Sequence, residues 1–385
     1  MDARTLRAYQ WDKQSLRVQS PAGSHRRILK AQLGLHSTDY LTPYFSLWAR
    51  VRGFDPKVLY DDLNRTKSAV RVRAFRGTVF VVHRENLVLI LGGLRNYHDQ
   101  VRTTIERMAR RSGQDLGVYE KRVVGLLRGK KRLSSAALNR ALRSSAPSGV
   151  APFFLRYLEF GRILVRVGQE HAEDRTMPYG LLREWFPETA LSELGPDGLR
   201  DDLALAYFRA FGPACLDDLC WWMPLSKTEG RATVQRLAER LASFEFEGRE
   251  YFVVAEEWDK LRKFKPDGNP PVVRFLPYED HFPKAYARRD WYLPPEAARQ
   301  LVGVRTIELG QIRPSIWLDG EVIGRWEIDR PRHGALAPAR VRIAGLVKAV
   351  KGSKRVLAAV NERRAEVESF LTRRLLPLCG SKEEI

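Results

Sequence analysis

The sequence is poor in cysteine. Its 385 residues include Cys215, Cys220 and Cys379 and no other cysteine. An odd number of cysteines, at a spacing that fits no zinc-binding pattern, argues against a disulfide framework or a cysteine-based zinc site. Unpaired thiols are typical of a reducing compartment, so we predict a cytoplasmic protein.

The sequence also lacks long apolar runs. No window approaches 18 consecutive uncharged apolar residues, and no transmembrane helix is expected. The first four residues, Met1-Asp2-Ala3-Arg4, have no apolar core of the kind that a signal peptide needs. We therefore expect no membrane partner, and the residue pattern implies neither a metal ion nor another cofactor. A monomer is the default expectation.

Basic residues are abundant. Lys and Arg number 66 against 46 Asp and Glu, which gives a formal net charge of +20. A chain this basic attracts polyanions, and double-stranded DNA is the first candidate partner because the charge is spread along the whole sequence. The alternative is a protein that is merely basic and has no nucleic-acid partner.

The order of predicted elements indicates an α+β fold. Short helices followed by two strands recur three times, which is the layout of tandem winged helix-turn-helix units. A Pro/Gly/Asn-rich linker at 266–271 then leads to a β-rich part. The predicted boundaries are 1–112, 113–195 and 196–265 for the three winged-helix units, 272–345 for the β-rich domain and 346–385 for a C-terminal helix.

Residues 33–39, Leu-Gly-Leu-His-Ser-Thr-Asp, place two polar side chains on an otherwise apolar segment. His36 and Thr38 are two residues apart, so an extended backbone directs both to one side. Buried polar groups cost stability unless they have partners or a task. Two interpretations stay open: Thr38 caps the next helix while His36 is a core histidine, or the pair contacts a ligand.

Several segments in a fixed order resemble the winged-helix DNA glycosylases of the AlkZ and YcaQ family, which remove alkylated purines and unhook interstrand crosslinks. The matching segments are Gly34-Leu35, Leu47-Trp48-Ala49-Arg50, Arg76-Gly77-Thr78, Phe211-Gly212-Pro213-Ala214, Asp217 to Trp222, Leu276 to Asp280, Arg313-Pro314 and Asp319 to Trp326. The resemblance spans nearly the whole chain. It implies tandem winged helices and a β-rich C-terminal part, C-shaped around a basic channel as wide as a duplex.

One motif departs from this family. Such enzymes usually carry Gln-x-Gln or Gln-x-Asp before the Trp-Ala-Arg helix, whereas this sequence has His36-Ser37-Thr38. The nearby Gln32 is out of register, and Phe80 stands where the family often has histidine. The resemblance implies a repair glycosylase for bulky or crosslinked purines of the N7-alkylguanine type, with self-resistance to a genotoxic natural product as one expected role. The departure implies a different catalytic pair.

Hydrolysis of an alkylated purine needs a positioned water and stabilisation of a cationic sugar, because the charged base already leaves readily. We assign His36 as general base, Thr38 as a hydrogen-bonding partner of the water, and Asp280 as a carboxylate on the opposite side of the channel. The alternative for Asp280 is an ion pair with Arg288 or Arg289. Trp221 and Trp222 are expected in the core.

Phosphate neutralisation should dominate DNA binding. The candidate DNA-binding residues are Arg50, Arg73, Arg76, Thr78, Arg274, Arg313, Ser315, Asp319 and Gly320. Asp319-Gly320 is a strong hairpin signal, and this hairpin could probe the minor groove, as the resemblance implies.

The sequence offers no lysine that is evidently placed for a lyase step, which favours a monofunctional hydrolase. The alternative function is a winged-helix protein that binds DNA or senses a lesion without cleaving the glycosidic bond.

Overall fold

The N-terminal part of the chain is a helical unit with a short β-ribbon. The computed structural model describes residues 2–143, 151–168, 172, 177–189, 196–266, 271–299, 311–329 and 339–379. The helices here are α1 (Ala3–Lys13), α2 (His25–Ala31), α3 (Thr42–Arg50), α4 (Pro56–Asp61), α5 (Leu87–Gly93) and α6 (Arg95–Arg111). The strands are β1 (Leu35–His36), β2 (Ala69–Arg73) and β3 (Val79–His83), and β3 pairs antiparallel with the other two. The sequence predicts two strands after the helices of this unit, and β2 and β3 are these strands.

The next region adds two strands to the same ribbon. It contains α7 (Leu116–Leu127), α8 (Ser135–Arg143), α9 (Ala151–Phe160), β4 (Leu164–Arg166), β5 (Tyr179–Leu181) and α10 (Leu182–Trp185). A bridge between Arg71 and Arg166 joins β4 to β2, which gives a five-stranded sheet in the order β1-β3-β2-β4-β5. The regions predicted as the first and second winged-helix units therefore share one sheet.

The third region has its own three-stranded sheet. Its elements are α11 (Pro196–Phe211), β6 (Ala214–Cys215), α12 (Leu216–Trp222), α13 (Lys227–Arg236), β7 (Leu241–Phe246), β8 (Arg249–Val254) and α14 (Trp258–Lys263). The strands lie in the order β6-β8-β7. The Glu247-Gly248 pair between two apolar segments predicts a hairpin here, and β7 and β8 form it, with positive φ at both turn residues, as a tight hairpin turn requires.

The C-terminal region is a four-stranded antiparallel sheet covered by a helix. It comprises β9 (Val273–Leu276), α15 (His281–Lys284), α16 (Pro295–Ala297), β10 (Ser315–Leu318), β11 (Glu321–Asp329), β12 (Arg340–Leu346), α17 (Lys348–Lys351) and α18 (Lys354–Phe370). The strand order is β12-β11-β10-β9. Most of the predicted linker, residues 267–270, lies outside the described residues. Within the C-terminal unit the sequence predicts one helix from about 347 to 375, whereas the structure interrupts it near Gly352, because Ser353 caps a new helix by accepting a hydrogen bond from Val356 N.

The N-terminal helices and the C-terminal sheet share one hydrophobic core. Trp11 of α1 stacks on Trp317 of β10 at 5.4 Å between ring centroids. Phe45 of α3 packs edge-to-face against Trp326 of β11 at 5.6 Å. A second core cluster holds the middle region together, around Val123 and Leu158. The two ends of the chain are therefore packed on each other, which brings residues about 240 positions apart into one site.

Close packing of α5 on α11 requires a glycine, and this gives a stability prediction. A Cβ on Gly93 would lie 2.7 Å from Leu203 Cβ and 2.9 Å from the Leu199 carbonyl oxygen. Gly93→Ala should therefore lower the free energy of unfolding by about 1–3 kcal/mol through overpacking, although alanine favours helix. Urea unfolding measures the change.

The exposed Gly125 of α7 is the matched control, since a Cβ there meets no atom within 4 Å. Gly125→Ala should raise the free energy of unfolding by up to about 1 kcal/mol. Equal effects of the two substitutions would contradict the packing argument.

Candidate active site

His36 is held at the edge of the five-stranded sheet by a sharp turn. Gly34 has φ +108°, and a Cβ there would lie 2.8 Å from the Val81 carbonyl oxygen. Only glycine fits this close approach of β1 to β3 without a shift. The His36 ring then packs edge-to-face on Phe80, with the centroids 5.4 Å apart. The local fold thus fixes both the backbone and the ring plane of His36.

The predicted pairing of the two polar side chains is confirmed. His36 Nε2 lies 3.2 Å from Thr38 Oγ1. Between them, Ser37 faces the other way, where its hydroxyl accepts a hydrogen bond from Arg71 Nε. The His36 ring is only 1% exposed, whereas Thr38 is exposed to solvent. The hydroxyl of Thr38 therefore connects a buried imidazole to the surface.

Thr38 does not cap the following helix. Instead, Asp39 Oδ1 accepts a hydrogen bond from Leu41 N at the entrance of α3. Leu41 is the N-cap residue of α3 and no side chain caps the helix, while the Thr38 hydroxyl remains directed at His36. This geometry favours the ligand interpretation of the pair over the capping interpretation.

Glu279 is the carboxylate that faces His36. Its Oε2 lies 3.7 Å from His36 Nε2 and also contacts Lys284 Nζ of α15. Its Oε1 accepts a hydrogen bond from Ile312 N at 2.8 Å. Glu279 has φ +57°, a conformation that a side-chain-bearing residue rarely adopts and that is often found at functional sites. On the sequence alone, the carboxylate role is assigned to the neighbouring Asp280. Both acidic residues lie on the loop that follows β9, so the sequence pattern does not distinguish them.

Asp280 is held inside the protein by Arg50. Both side chains are fully buried, with Arg50 Nη2 2.7 Å from Asp280 Oδ1. The hydroxyl of Ser46 also donates to Asp280, at 2.7 Å. Burial raises the pKa of Asp280, but Arg50 outweighs it and holds the pKa well below its usual range. The structure thus assigns Asp280 to a structural ion pair, with Arg50 as partner and not the expected Arg288 or Arg289, and neither charge faces a channel.

A cationic cluster surrounds the His36–Glu279 pair. The Arg76 guanidinium lies 3.3 Å above the Trp221 ring centroid, and Arg289 lies 5.1 Å from the same centroid. Trp221 Nε1 donates to the carbonyl oxygen of Lys284. Trp222 is 3% exposed and lies in the core, as expected for both tryptophans. Trp221 is only half-buried, and two arginines pack on its ring.

Two pKa shifts describe this cluster. Burial lowers the pKa of His36 well below its usual value, and the Lys284 ammonium lowers it further. Burial also lowers the pKa of Lys284, although Glu279 opposes that shift. The imidazole is therefore neutral at physiological pH, and the charge of the cluster is carried by its lysine, its arginines and Glu279.

Lys284 is a functional candidate that sequence reasoning missed. It follows Glu279 by five residues, on the single-turn helix α15. Because its position beside His36 depends on packing between the two ends of the chain, no local pattern could reveal it.

Five of the candidate DNA-binding residues are turned into the protein. Arg50 is paired with Asp280, Arg73 donates to Glu159 at 2.6 Å, and Arg274 donates to the Arg17 carbonyl oxygen. Ser315 is buried and accepts a hydrogen bond from Trp317 Nε1. A Cβ on Gly320 would lie 2.8 Å from Arg7 Cγ, so the Asp319–Gly320 turn packs on α1 and does not project as a free probe. Buried guanidiniums with partners are not positioned for phosphate.

The remaining candidates reach the surface. Arg313 and Asp319 are exposed, while Arg76 and Thr78 are half-buried. Thr78 donates its hydroxyl hydrogen to the Phe75 carbonyl oxygen, which leaves its oxygen as an acceptor. Arg76 belongs to the cationic cluster, where its guanidinium lies on the Trp221 ring.

An open cavity of about 450 Å³ lies on the other side of the Thr38–Asp39 turn. Its lining is mixed aromatic and acidic, from Asp39, Tyr40, Leu41, Thr42, Phe45, Pro277, Tyr278, Pro314, Trp326, Glu327 and Ile328. Thr42 Oγ1 donates to the Tyr278 carbonyl oxygen across its floor. The cavity thus adjoins both chain segments that form the candidate site.

Two negative findings apply to the described ranges of the chain. Within them, no helix has both the length and the apolar character of a membrane span. Among the same residues, no group of three or more His, Cys, Asp or Glu side chains is arranged to hold a metal ion.

The fold matches a solved structure over nearly its full length. Streptomyces sahachiroi DNA glycosylase AlkZ superposes with a TM-score of 0.74 and covers 98% of each chain, at 18% sequence identity. Identity this low supports a common fold and nothing finer. The resemblance in architecture confirms the mixed helix-and-sheet class that the sequence indicated.

The sequence itself carries a family signature. A curated relative, an interstrand DNA cross-link repair glycosylase of Streptomyces sahachiroi, is 28% identical over 136 residues, or 34% of this chain and 35% of the relative. The chain therefore matches about a third of that relative's length. Residues 29–373 match the family described as DNA glycosylase AlkZ-like. Because this match covers most of the sequence, the chain belongs to the AlkZ-like DNA glycosylase family.

Proposed function

We propose that this protein hydrolyses the N-glycosidic bond of bulky or crosslinked N7-alkylated purines in duplex DNA. The observation that carries the proposal is the hydrogen-bonded His36–Thr38 pair, in which the imidazole faces Glu279 and Thr38 is exposed to solvent. Membership of a DNA glycosylase family and a relative named for crosslink repair support the substrate class. A role in self-resistance to a genotoxic natural product is part of the same proposal.

Thr38 relays the proton between water and His36. The ring is too buried to contact a water beside the sugar directly, whereas the Thr38 hydroxyl can accept from that water and donate to Nε2. As the water oxygen bonds to C1′, its proton passes through Thr38 to His36. The C1′–N9 electron pair leaves with the base and neutralises its positive charge. The Glu279 carboxylate stabilises both the imidazolium and the cationic sugar.

Arg76 and Arg313 are the proposed phosphate contacts, with Thr78 as a neutral partner. The net charge of +20 supports duplex binding along a broad positive surface. The cavity beside the Thr38–Asp39 turn is large enough for the non-nucleobase part of a bulky adduct. A monomer suffices for this arrangement, since one chain supplies every group that it uses.

The burial of His36 favours one alternative function. A ring that is 1% exposed could be a structural residue in a protein that binds DNA or senses a lesion without cleaving it. This alternative predicts tight duplex binding and no base release.

The first prediction concerns the relay. Thr38→Val removes the hydroxyl at nearly constant volume, so the rate of base release should fall about 10²–10³-fold. Thr38→Ser restores the hydroxyl and should retain most of the activity. The measurement is alkali-induced strand cleavage of a duplex that carries N7-methylguanine or an interstrand crosslink. Wild-type activity in the valine variant would contradict the relay.

The same assay tests the imidazole. His36→Ala should lower the rate by a factor within about 10²–10⁴, the usual value of a general base. His36→Gln, which keeps a polar group able to accept a hydrogen bond from Thr38, should lose less. No base release by the wild-type protein, together with tight duplex binding, would establish the alternative function.

The direction of the pKa shift of His36 predicts how the rate of base release depends on pH. The unprotonated ring is the base, and a pKa lowered well below 6.5 keeps it unprotonated across the neutral range. The single-turnover rate should therefore stay nearly constant from about pH 6 to about pH 9. A rate that falls below pH 7 with an apparent pKa near 6.5 would show that the base is an unperturbed histidine.

Salt dependence tests the phosphate contacts. Duplex affinity should fall linearly on a plot of log K against log salt concentration, and Arg313→Ala should make the slope shallower by about one unit. Arg313→Lys keeps the charge and should leave the slope unchanged. Fluorescence anisotropy with an undamaged duplex measures both variants.

A further inference from the structure

Lys284 lies beside the proposed catalytic pair, and the hydrolytic mechanism gives it no task. Its Nζ contacts Glu279 Oε2, the same oxygen that lies 3.7 Å from His36 Nε2. One carboxylate oxygen therefore joins the amine and the imidazole. The Lys284 side chain is 12% exposed, so the amine is enclosed but still reachable.

The surroundings of Lys284 favour a nucleophilic amine over a simple surface charge. Arg76 and Arg289 lie close enough to act on it electrostatically, and burial lowers its pKa. A lysine that is desolvated and placed next to other cations is the usual form of a Schiff-base lysine. Glu279 is in contact to take the ammonium proton when a carbonyl carbon arrives.

We propose that Lys284 forms a Schiff base with the C1′ aldehyde of an abasic site in DNA and so gives this protein a strand-cleaving lyase activity. The inference rests on the proposed function in one respect: base release at the same site generates the abasic sugar. It replaces the sequence-based expectation of a monofunctional enzyme.

The lyase step needs no reactant other than the abasic DNA and water. The Lys284 amine adds to the C1′ aldehyde of the ring-opened sugar, and the proton that Glu279 took from the ammonium returns to the resulting hydroxyl, which leaves as water and gives the protonated imine. Glu279 removes a proton from C2′, the C3′–O bond breaks, and the phosphate departs as a 5′-phosphate end. Hydrolysis of the imine then releases an unsaturated aldehyde and restores the amine.

The test uses a duplex with a preformed abasic site, made by removing a uracil enzymatically. Sodium cyanoborohydride reduces the imine to a stable covalent complex, which runs slowly on a denaturing gel. The wild-type protein should be trapped, and Lys284→Arg, which keeps the charge but cannot form an imine, should reduce trapping at least tenfold.

Lys13 provides the matched control. It is also a buried lysine paired with a glutamate, Glu257, and burial lowers its pKa too, but it lies on α1. Lys13→Arg should trap abasic DNA as well as the wild-type protein does. Trapping that persists in Lys284→Arg would overturn the proposal, since another amine would then be responsible.

Mass spectrometry of the trapped wild-type complex identifies the reacting amine without the use of a variant. The modified peptide should contain Lys284, and modification at any other lysine or at the α-amino group would overturn the assignment.

Base release from an alkylated duplex is measured on the same preparation, which separates the two proposals. Base release without trapping would refute the lyase alone. Trapping at Lys284 without base release would support the lyase and refute the glycosylase, and absence of both would refute both.

Discussion

The ion pair between Arg50 and Asp280 is the constraint on which the candidate site depends. Arg50 ends the helix that follows the His36–Thr38 turn, and Asp280 directly follows Glu279 in the chain. Two fully buried charges with fixed geometry hold these segments in one register. Removing one partner of such a pair leaves an uncompensated charge, which typically costs about 3–5 kcal/mol. The pair therefore aligns Glu279 with His36 without taking part in the chemistry.

Local patterns were sufficient for most of the secondary structure. The alternation of apolar residues with arginine over 69–74 predicts β2, and Asp319-Gly320 predicts the hairpin between β10 and β11, because both signals depend on neighbours along the chain. The shared sheet of the first two regions could not be read in the same way. It depends on one bridge between Arg71 and Arg166, and no periodic pattern in the sequence predicts that contact.

The parts of the site that depend on residue spacing along the chain could be predicted from the sequence. The parts that depend on which side chains are buried together could not. A separation of two residues correctly placed His36 and Thr38 on one side. The choice between Glu279 and Asp280 required knowledge of which carboxylate meets Arg50, a contact 230 residues distant. Likewise, Arg73 and Arg274 look like surface cations in the sequence, whereas their partners Glu159 and the Arg17 carbonyl oxygen are revealed only by packing.

The left-handed backbone at Glu279 has an evolutionary consequence. Residues other than glycine and asparagine are disfavoured there by about 1 kcal/mol or more. Glycine at this position would relieve the backbone, but it would leave the Lys284 ammonium and the Ile312 N–H without their partner, and removal of one member of a buried charged pair typically costs about 3–5 kcal/mol. Durability and chemistry therefore both favour an acidic side chain at this position, and the strained backbone is tolerated for the sake of the carboxylate.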